Sequence, residues 1–81
     1  MFEERFWQRI SLDSKIMTGK PVIRGTRVPV ELIVRMLAQG IPEQEILQEY
    51  PRLEPDDIRA ALAYAAQALA DEDVFPLAVP A

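Results

Sequence analysis

Apolar side chains recur at helical spacing through the middle and later parts of the chain, and this periodicity predicts three helices. The first is expected over 31–39, with Gly40 directly after it, where a glycine commonly ends a helix. The second and shorter helix is expected over 43–49, or from one residue earlier. The third and longest is expected from Pro55 to about Asp71.

The third helix is expected to bury one stripe of its surface. This stripe consists of Ile58, Leu62, Ala65 and Leu69. Segment 60–70 is rich in alanine, which favours helix formation and lets a neighbouring helix approach closely. We predict that this helix packs within its own chain, and the alternative is that segment 60–70 also contacts a partner protein.

A β-hairpin, here called the ribbon, is predicted ahead of the helices. Residues 22–23 and 28–30 are rich in β-branched side chains and flank Gly25 and the residue after it. A glycine at the first position of a two-residue loop favours a type II′ turn. This turn would place Arg24 and Arg27 opposite each other. Facing like charges are destabilising, so we expect a nearby acidic group or an anionic partner to compensate.

The ribbon needs support, because an isolated two-stranded hairpin is marginally stable in water. Pro21 and Pro29 also remove one backbone donor each. We therefore expect the ribbon to lie on the helices, to pair with the N-terminal segment or to pair with a second copy. Residues 9–12 have the alternation of a short strand, with Ile10 and Leu12 on one face.

Apolar side chains also concentrate at both ends of the chain. Phe2 and Phe6 are four residues apart, which suits a helical turn covering the core or a dimer seam; a frayed terminus is the alternative. The tail over 72–81 is acidic at first and then apolar and proline-rich. Its apolar residues are Phe75, Leu77 and Val79. Exposed apolar strings often mark contacts, so the tail is expected to bind a partner or to fold back on its own core.

Length and composition predict one folded domain over 1–81. It divides into an arm with the ribbon (1–30), a helical bundle (31–71) and the tail (72–81). The chain is 49% hydrophobic and 27% charged, which argues against disorder. It has no cysteine, no signal-peptide order at its start and no apolar run near the roughly 20 residues of a membrane span. A cytoplasmic protein is the expectation.

Charge is divided unevenly along the chain. Residues 1–40 hold seven Lys and Arg against four Asp and Glu, a net of +3. Residues 41–81 hold two against nine, a net of −7. A sequence pI near 4.7 argues against strong unaided binding to nucleic acid, although a local basic face remains available.

Catalysis is not expected. The chain has no histidine or cysteine, so the commonest acid–base group, thiol nucleophile and transition-metal ligands are missing. The acid pair Asp56 and Asp57 begins a helix, where it complements the helix dipole. The three glycines match neither a P-loop nor a dinucleotide fingerprint. We expect no enzyme activity, no cofactor and no metal.

The last two predicted helices and the turn between them are similar to a helix-turn-helix pair. Its second helix would enter the DNA major groove by its N-terminal residues. Asp56 and Asp57 there would repel phosphates, which leaves Arg59 for base reading and Arg52 for phosphate contact. The ribbon, with Arg24 and Arg27, is therefore the stronger DNA-binding candidate.

The chain resembles a known family at many positions. They are Gly19 to Arg27 without a break, Gly40, Glu45, Ile46, Leu47, Tyr50, Pro51, Leu53, Asp57, Ile58 and Ala60 to Ala65. Over about residues 8–75 they are similar to the prokaryotic domain of unknown function 433 (DUF433). The resemblance implies a mainly α fold, with a short β-ribbon ahead of a three-helix, helix-turn-helix-like bundle that forms dimers.

The resemblance also implies a function, since members of the family are commonly regarded as VapB-type antitoxins encoded beside a PIN-like ribonuclease. The implied role is to bind and silence that toxin and, with it, to repress the shared promoter. The family has no established active site, and its characteristic motif falls here on Gly25, Thr26 and Arg27. Family members often place Ser or Thr near Pro42 and Glu54, and these two residues are poorer N-caps.

Two hypotheses follow. The first is an antitoxin that also acts as a DNA-binding repressor, and the second is a non-catalytic protein-binding module without DNA affinity. The residues assigned to DNA are Arg24, Thr26, Arg27, Arg52 and Arg59. Those assigned to the toxin are Tyr64, Phe75, Leu77 and Val79. Gly25 and Gly40 are assigned to structural turns, and a homodimer is expected.

Overall fold

The computed structural model describes residues 4–13, 15 and 19–72. Four helices and two short strands follow one another along this part of the chain. They are α1 (Glu4–Trp7), β1 (Ile10–Ser11), β2 (Val22–Ile23), α2 (Val30–Ala38), α3 (Glu43–Glu49) and α4 (Pro55–Asp71). The expectation of a mainly helical fold with a small N-terminal sheet is confirmed.

The N-terminal segment supports the ribbon. β1 pairs with β2 in antiparallel register, with Ile10 opposite Ile23 and Ser11 opposite Val22. On its other side β2 pairs with the chain that enters α2, through a bridge from Val22 to Pro29. Of the three supports expected for the ribbon, the structure therefore shows two: pairing with the N-terminal segment, and packing on the helices through the buried Ile23.

The ribbon turns through a longer loop than the sequence predicted, because the Ile23 amide donates to the Val28 carbonyl oxygen at 3.0 Å and leaves residues 24–27 between the paired segments. The Thr26 amide donates to the Ile23 carbonyl oxygen at 3.0 Å, so Arg24 and Gly25 are the central residues of the turn. Gly25, the third residue of that turn, has φ +81°. A positive φ at the third position is the mark of a type II turn, so the predicted type II′ turn is wrong.

The helix boundaries agree closely with the periodicity, and α4 ends at the predicted residue. Gly40 follows α2 with φ +84°, as a helix-ending glycine requires. Pro42 is extended, with ψ 148°, and precedes α3 as its N-cap. It is therefore not the first helical residue, which was one of the two predicted starts.

The core lies where α2, α3 and α4 meet the small sheet. Its buried residues are Ile10, Ile23, Val30, Ile33, Ile46, Leu53, Ile58, Ala60 and Ala61. α4 makes its main contacts with α2 and α1. Ile10 and Ile23 of the sheet belong to this core, so the sheet is attached to the helices through its own apolar side chains. This attachment fixes the position of the turn in the ribbon.

The buried face of α4 differs from the predicted stripe. Its buried residues are Asp57, Ile58, Ala60, Ala61 and Ala63. Leu62 is 45% exposed and Leu69 is 65% exposed, so two of the four predicted stripe residues lie outside the core. Because α4 packs between two neighbouring helices, small alanines fill its inner face and the leucines lie on the outer one.

Several sequence predictions concern residues that lie outside the described part of the chain. These are the position of Phe2 and the apolar side chains of the tail, Phe75, Leu77 and Val79. Within the described residues, none of the helices combines the length and hydrophobicity needed to cross a bilayer.

Candidate interaction surfaces

A groove runs between the ribbon turn and the end of α3, and we call it the turn groove. Its walls are formed by Gly25, Thr26, Arg27 and Val28 on one side and by Glu49, Tyr50, Pro51 and Arg52 on the other. Its volume is about 760 Å³. Three of the five residues assigned to DNA, namely Thr26, Arg27 and Arg52, are therefore brought together.

The turn groove owes its shape to three internal hydrogen bonds. The Thr26 hydroxyl donates to the Ile23 carbonyl oxygen at 2.7 Å and accepts from the Val28 amide at 3.0 Å, which holds the turn. Arg52 donates to the Gly25 carbonyl oxygen at 3.3 Å and so links the turn to the segment before α4. These contacts give Thr26 a structural role.

Arg27 is the free cation of the turn groove. Its side chain is exposed, and within the described residues it has no hydrogen bond or ion pair. Glu49 contributes an opposite charge to the far wall. A free guanidinium beside an open groove is available to an anionic group such as a phosphate or a carboxylate.

Arg24 is engaged elsewhere. Its Nε donates to the Gln8 carbonyl oxygen at 2.7 Å, and its Nη2 donates to the Ile10 carbonyl oxygen at 2.8 Å. Arg24 therefore binds the N-terminal segment instead of facing Arg27. Like-charge repulsion within the ribbon is avoided because one of the two guanidinium groups is directed away, so no acidic compensator is needed.

Arg9 is the centre of an ion-pair cluster that was not predicted from the sequence. Its Nη1 donates to Glu54 Oε1 and to Asp57 Oδ1, each at 2.9 Å, and its Nη2 lies 3.9 Å from Asp56 Oδ2. The hydrogen bond to Asp57, followed by that to Glu54, raises the pKa of the Arg9 guanidinium above its usual value. In the sequence, the three acidic residues at the start of α4 were the only indication of this cluster.

The Arg9 cluster covers the beginning of α4. Asp57 Oδ2 also accepts from the Glu54 amide at 2.8 Å, so the third helical residue satisfies the backbone donor of the N-cap residue, as in a capping box. The first turn of α4 is the part that a helix-turn-helix protein would insert into DNA. Here it is occupied by intramolecular contacts, and Arg59, which is exposed farther along α4, lines neither of the grooves described here.

A second groove, the α2–α4 groove, is apolar and holds about 330 Å³. It is lined by Pro21, Val30, Glu31, Val34, Arg35, Ala38, Tyr64, Ala65 and Ala68. Tyr64, which was assigned to the toxin, is half-buried here, and its ring lies edge-on to that of Trp7 with centroids 6.4 Å apart. The charged residues Glu31 and Arg35 pair with each other at 3.0 Å.

Among the described residues, no group of three or more histidine, cysteine, aspartate or glutamate side chains is placed to hold a metal ion. The same residues leave no buried side-chain nitrogen or oxygen without a hydrogen-bond partner. The candidate sites among the described residues are the turn groove, the α2–α4 groove and the exposed face of α4, together with a third groove of about 300 Å³ beside α3. This third groove is lined by Met36, Ile41, Glu45, Ile46, Glu49 and Tyr50.

Comparison with known proteins identifies the family. Residues 10–65 match the family model described as "Protein of unknown function (DUF433)". The chain belongs to the DUF433 family. The matched segment contains both strands, α2, α3 and the whole turn groove, whereas Arg9 and the tail lie outside it.

The related proteins support the DUF433 fold and do not indicate a function. A crystal structure of a DUF433 member from Anabaena variabilis is similar, with a TM-score of 0.72 and 29% identity over 85% of this chain and 79% of that one. The uncharacterized protein y4eO of Sinorhizobium fredii is 42% identical over 50 residues, which are 62% of this chain and 23% of the relative. An uncharacterized protein of Archaeoglobus fulgidus is 59% identical over 29 residues, 36% of this chain and 81% of the relative.

The chain thus spans about a quarter of the rhizobial relative. The matching segment is there one part of a longer protein.

Proposed function

We propose that this DUF433 member is the antitoxin of a type II toxin–antitoxin pair, which binds a PIN-like ribonuclease and, together with it, represses their promoter. The observation that carries the proposal is the presence of two grooves with no lining residue in common. One is apolar and the other presents a free guanidinium. A chain with two such surfaces can hold a protein partner and a nucleic acid at the same time.

The α2–α4 groove supports the protein-binding half of the proposal. Its wall is formed by alanine, valine and proline, with the half-buried ring of Tyr64 at its side. Apolar grooves between helices are common docking sites for a partner's helix or apolar segment. The net charge of −7 over residues 41–81 would also speed the encounter with a basic nuclease.

The turn groove supports the DNA-binding half. Arg27 is free to bind a phosphate, Arg52 lies on the opposite wall, and Thr26 holds the turn between them. Two arginines neutralise few phosphates, so affinity for DNA is expected to be modest, salt-dependent and enhanced when several protomers bind together.

The test uses the full chain, the product of the neighbouring gene and a fluorescent promoter fragment. We expect inhibition of the neighbouring ribonuclease and a shift of the promoter DNA that is strongest with both proteins present. Arg27→Ala should weaken DNA binding about tenfold and reduce its salt dependence, because one phosphate contact per protomer is lost.

Lys15→Ala is the matched control, since it removes one exposed positive charge outside the turn groove. Its DNA affinity should remain close to that of the unmodified chain. No DNA shift at moderate salt, with or without the second protein, would overturn the repressor half of the proposal. Failure to inhibit the ribonuclease would overturn the antitoxin half.

A second candidate function is a protein-binding module that does not bind DNA. Two observations favour it: Arg24 is held by backbone carbonyl groups, and the first turn of α4 is covered by Arg9. Both reduce the basic surface that faces outward. If the chain inhibits the ribonuclease but does not shift the promoter DNA, alone or with the ribonuclease, this second function is the correct one.

A further inference from the structure

We propose that the groove beside α3 receives an arginine side chain from a partner protein. This groove is here called the α3 groove, and its lining combines apolar side chains with two carboxylates. The proposed function assigns no partner to it, so the inference holds or fails independently of the antitoxin function.

The floor of the α3 groove is apolar. Ile46 has 0% of its surface exposed, and Met36 and Ile41 are half-buried beside it. These side chains come from α3, from α2 and from the connection between the two helices, and all three belong to or pack against the core. A rigid apolar floor suits the aliphatic stem of an arginine, which covers such a surface while its charged group stays in water.

The rim of the α3 groove is negatively charged. Glu45 and Glu49 are exposed and lie four residues apart on α3, where like charges destabilise a helix. Their carboxylates form no hydrogen bond or ion pair among the described residues. Arg27 and Arg52 share the turn groove with Glu49, but neither lines the α3 groove.

The chain itself holds no further cation that could complete this rim. All nine of its Lys and Arg residues belong to the described part of the chain, and none of them lines the α3 groove. The complementary positive charge must therefore come from another molecule.

The geometry of the rim favours a guanidinium group over an ammonium group. Glu45 and Glu49 are about 6 Å apart along the helix axis, and a guanidinium has donors on more than one edge with which to reach both. Tyr50 adds an aromatic ring to the wall, on which a guanidinium can stack. The volume of about 300 Å³ is at the lower limit for ligand pockets and suits one side chain.

Two other occupants are disfavoured by the same charges. Glu45 and Glu49 would repel the phosphates of a nucleic acid, and they would also repel the acidic residues 71–73 that lead into the tail. The occupant that matches both the floor and the rim is an arginine within an apolar segment of another protein.

The test titrates the full chain with the peptide acetyl-Ala-Leu-Arg-Leu-Ala-amide and follows isotope-labelled methionine methyl groups by NMR. The chain has three methionines, so the Met36 signal is easily resolved and is identified with Met36→Leu. This signal should move saturably with the arginine peptide. A peptide with citrulline in place of arginine keeps the shape without the charge, and it should bind at least about tenfold more weakly.

Glu45→Gln should weaken binding of the arginine peptide about tenfold, because one of the two carboxylates is lost. Glu45 is chosen because Glu49 also lines the turn groove. Glu43→Gln is the matched control: Glu43 is exposed on the same helix but lies outside all three grooves. Its variant should bind like the unmodified chain.

A cation introduced into the α3 groove gives a second readout. Met36→Lys should lower the affinity at least about tenfold, because the new ammonium group pairs with the rim in place of the peptide. Gln39→Lys adds the same charge at an exposed position after α2, outside the three grooves, and should preserve binding. Circular dichroism establishes that each variant keeps its helices.

Three outcomes of the titrations would overturn the proposal: no saturable movement of the Met36 signal, equal binding of the citrulline peptide, or equal losses in Glu45→Gln and Glu43→Gln. Sedimentation equilibrium of the peptide-free chain adds a fourth. Self-association that Glu45→Gln abolishes would show that a second copy occupies the groove, and this too would overturn the proposal.

Discussion

Arg24 and Arg27 stand three residues apart in the family motif and have different surroundings. Arg24 donates to two backbone carbonyl groups of the N-terminal segment, whereas Arg27 is exposed and unpaired within the described residues. The difference follows from the turn, which places Arg24 at its second position and leaves Arg27 beyond it. Arg24 thus stabilises the fold, and Arg27 is available to bind an anion.

Arg9 should contribute more to the free energy of unfolding than Arg35, an exposed arginine that also forms an ion pair. Asp57, its main partner, has a side chain that is only 7% exposed. Arg9→Met should lower the free energy of unfolding by about 2 kcal/mol, because a buried carboxylate loses its cation. Urea denaturation measures this loss.

Arg35→Met is the control, since Arg35 pairs with Glu31 on an exposed surface. It should change the free energy of unfolding by less than about 0.5 kcal/mol. Equal losses in the two variants would contradict the structural role of Arg9.

The pH dependence of the Arg9 contribution follows from the direction of its shift. Its pKa is higher in the folded state than in the unfolded chain, mainly because of the hydrogen bond to Asp57. The contribution is therefore complete below the unfolded-state pKa and is lost only as the pH rises through the folded-state pKa. At neutral pH the Arg9 side of the cluster is fully charged.

At the scale of elements, the ribbon depends on the N-terminal strand. β1 and β2 are two residues each, too short to be stable alone, and Arg24 binds across their pairing. Arg24→Met should therefore destabilise the protein by about 1–2 kcal/mol and speed amide hydrogen exchange in the ribbon.

Arg27→Met is the comparison for this prediction. It removes the same charge three residues away without removing a hydrogen bond among the described residues, so the free energy of unfolding should change by less than about 0.5 kcal/mol. The interpretation of Arg24 as a structural residue would be contradicted if both variants left ribbon exchange unchanged.

Element boundaries were predictable because they are encoded locally. The helix over 55–71 follows from its own apolar spacing and from the proline that begins it. The buried face of α4 was not predictable in the same way, because α1 and α2 decide which side is covered. The predicted turn type was wrong for a related reason. β2 pairs with other segments on both sides, and this pairing fixes where the chain reverses direction.

The candidate surfaces were only partly predictable from the sequence. Thr26, Arg27 and Arg52 were all proposed from sequence, and the fold brings them to one groove. The Arg9 cluster joins residues 45 and 48 positions apart, a separation at which no periodicity connects an arginine with its carboxylates. Only the tertiary fold reveals it.

At the scale of the whole molecule, the proposed function assigns two surfaces to two partners. The turn groove would take DNA and the α2–α4 groove a ribonuclease. Ala68→Glu tests the second assignment, because Ala68 is exposed and lines the α2–α4 groove. Inhibition of the ribonuclease should weaken at least about tenfold, since the new charge would be desolvated in the complex.

Gln44→Glu is the matched control, because Gln44 is exposed on α3 outside both grooves. This variant introduces the same charge and should inhibit the ribonuclease like the unmodified chain. Unchanged inhibition by the Ala68 variant would remove the α2–α4 groove from the proposal.

The long reach of Arg9 has a consequence for synthesis. A ribosome makes Arg9 first, and its partners Glu54 and Asp57 are added 45 and 48 residues later, after about 2–10 s of elongation. During this interval the nascent N-terminal arm lacks its cation–carboxylate anchor. The pairing of β1 with β2 must therefore hold the arm until the start of α4 has been added.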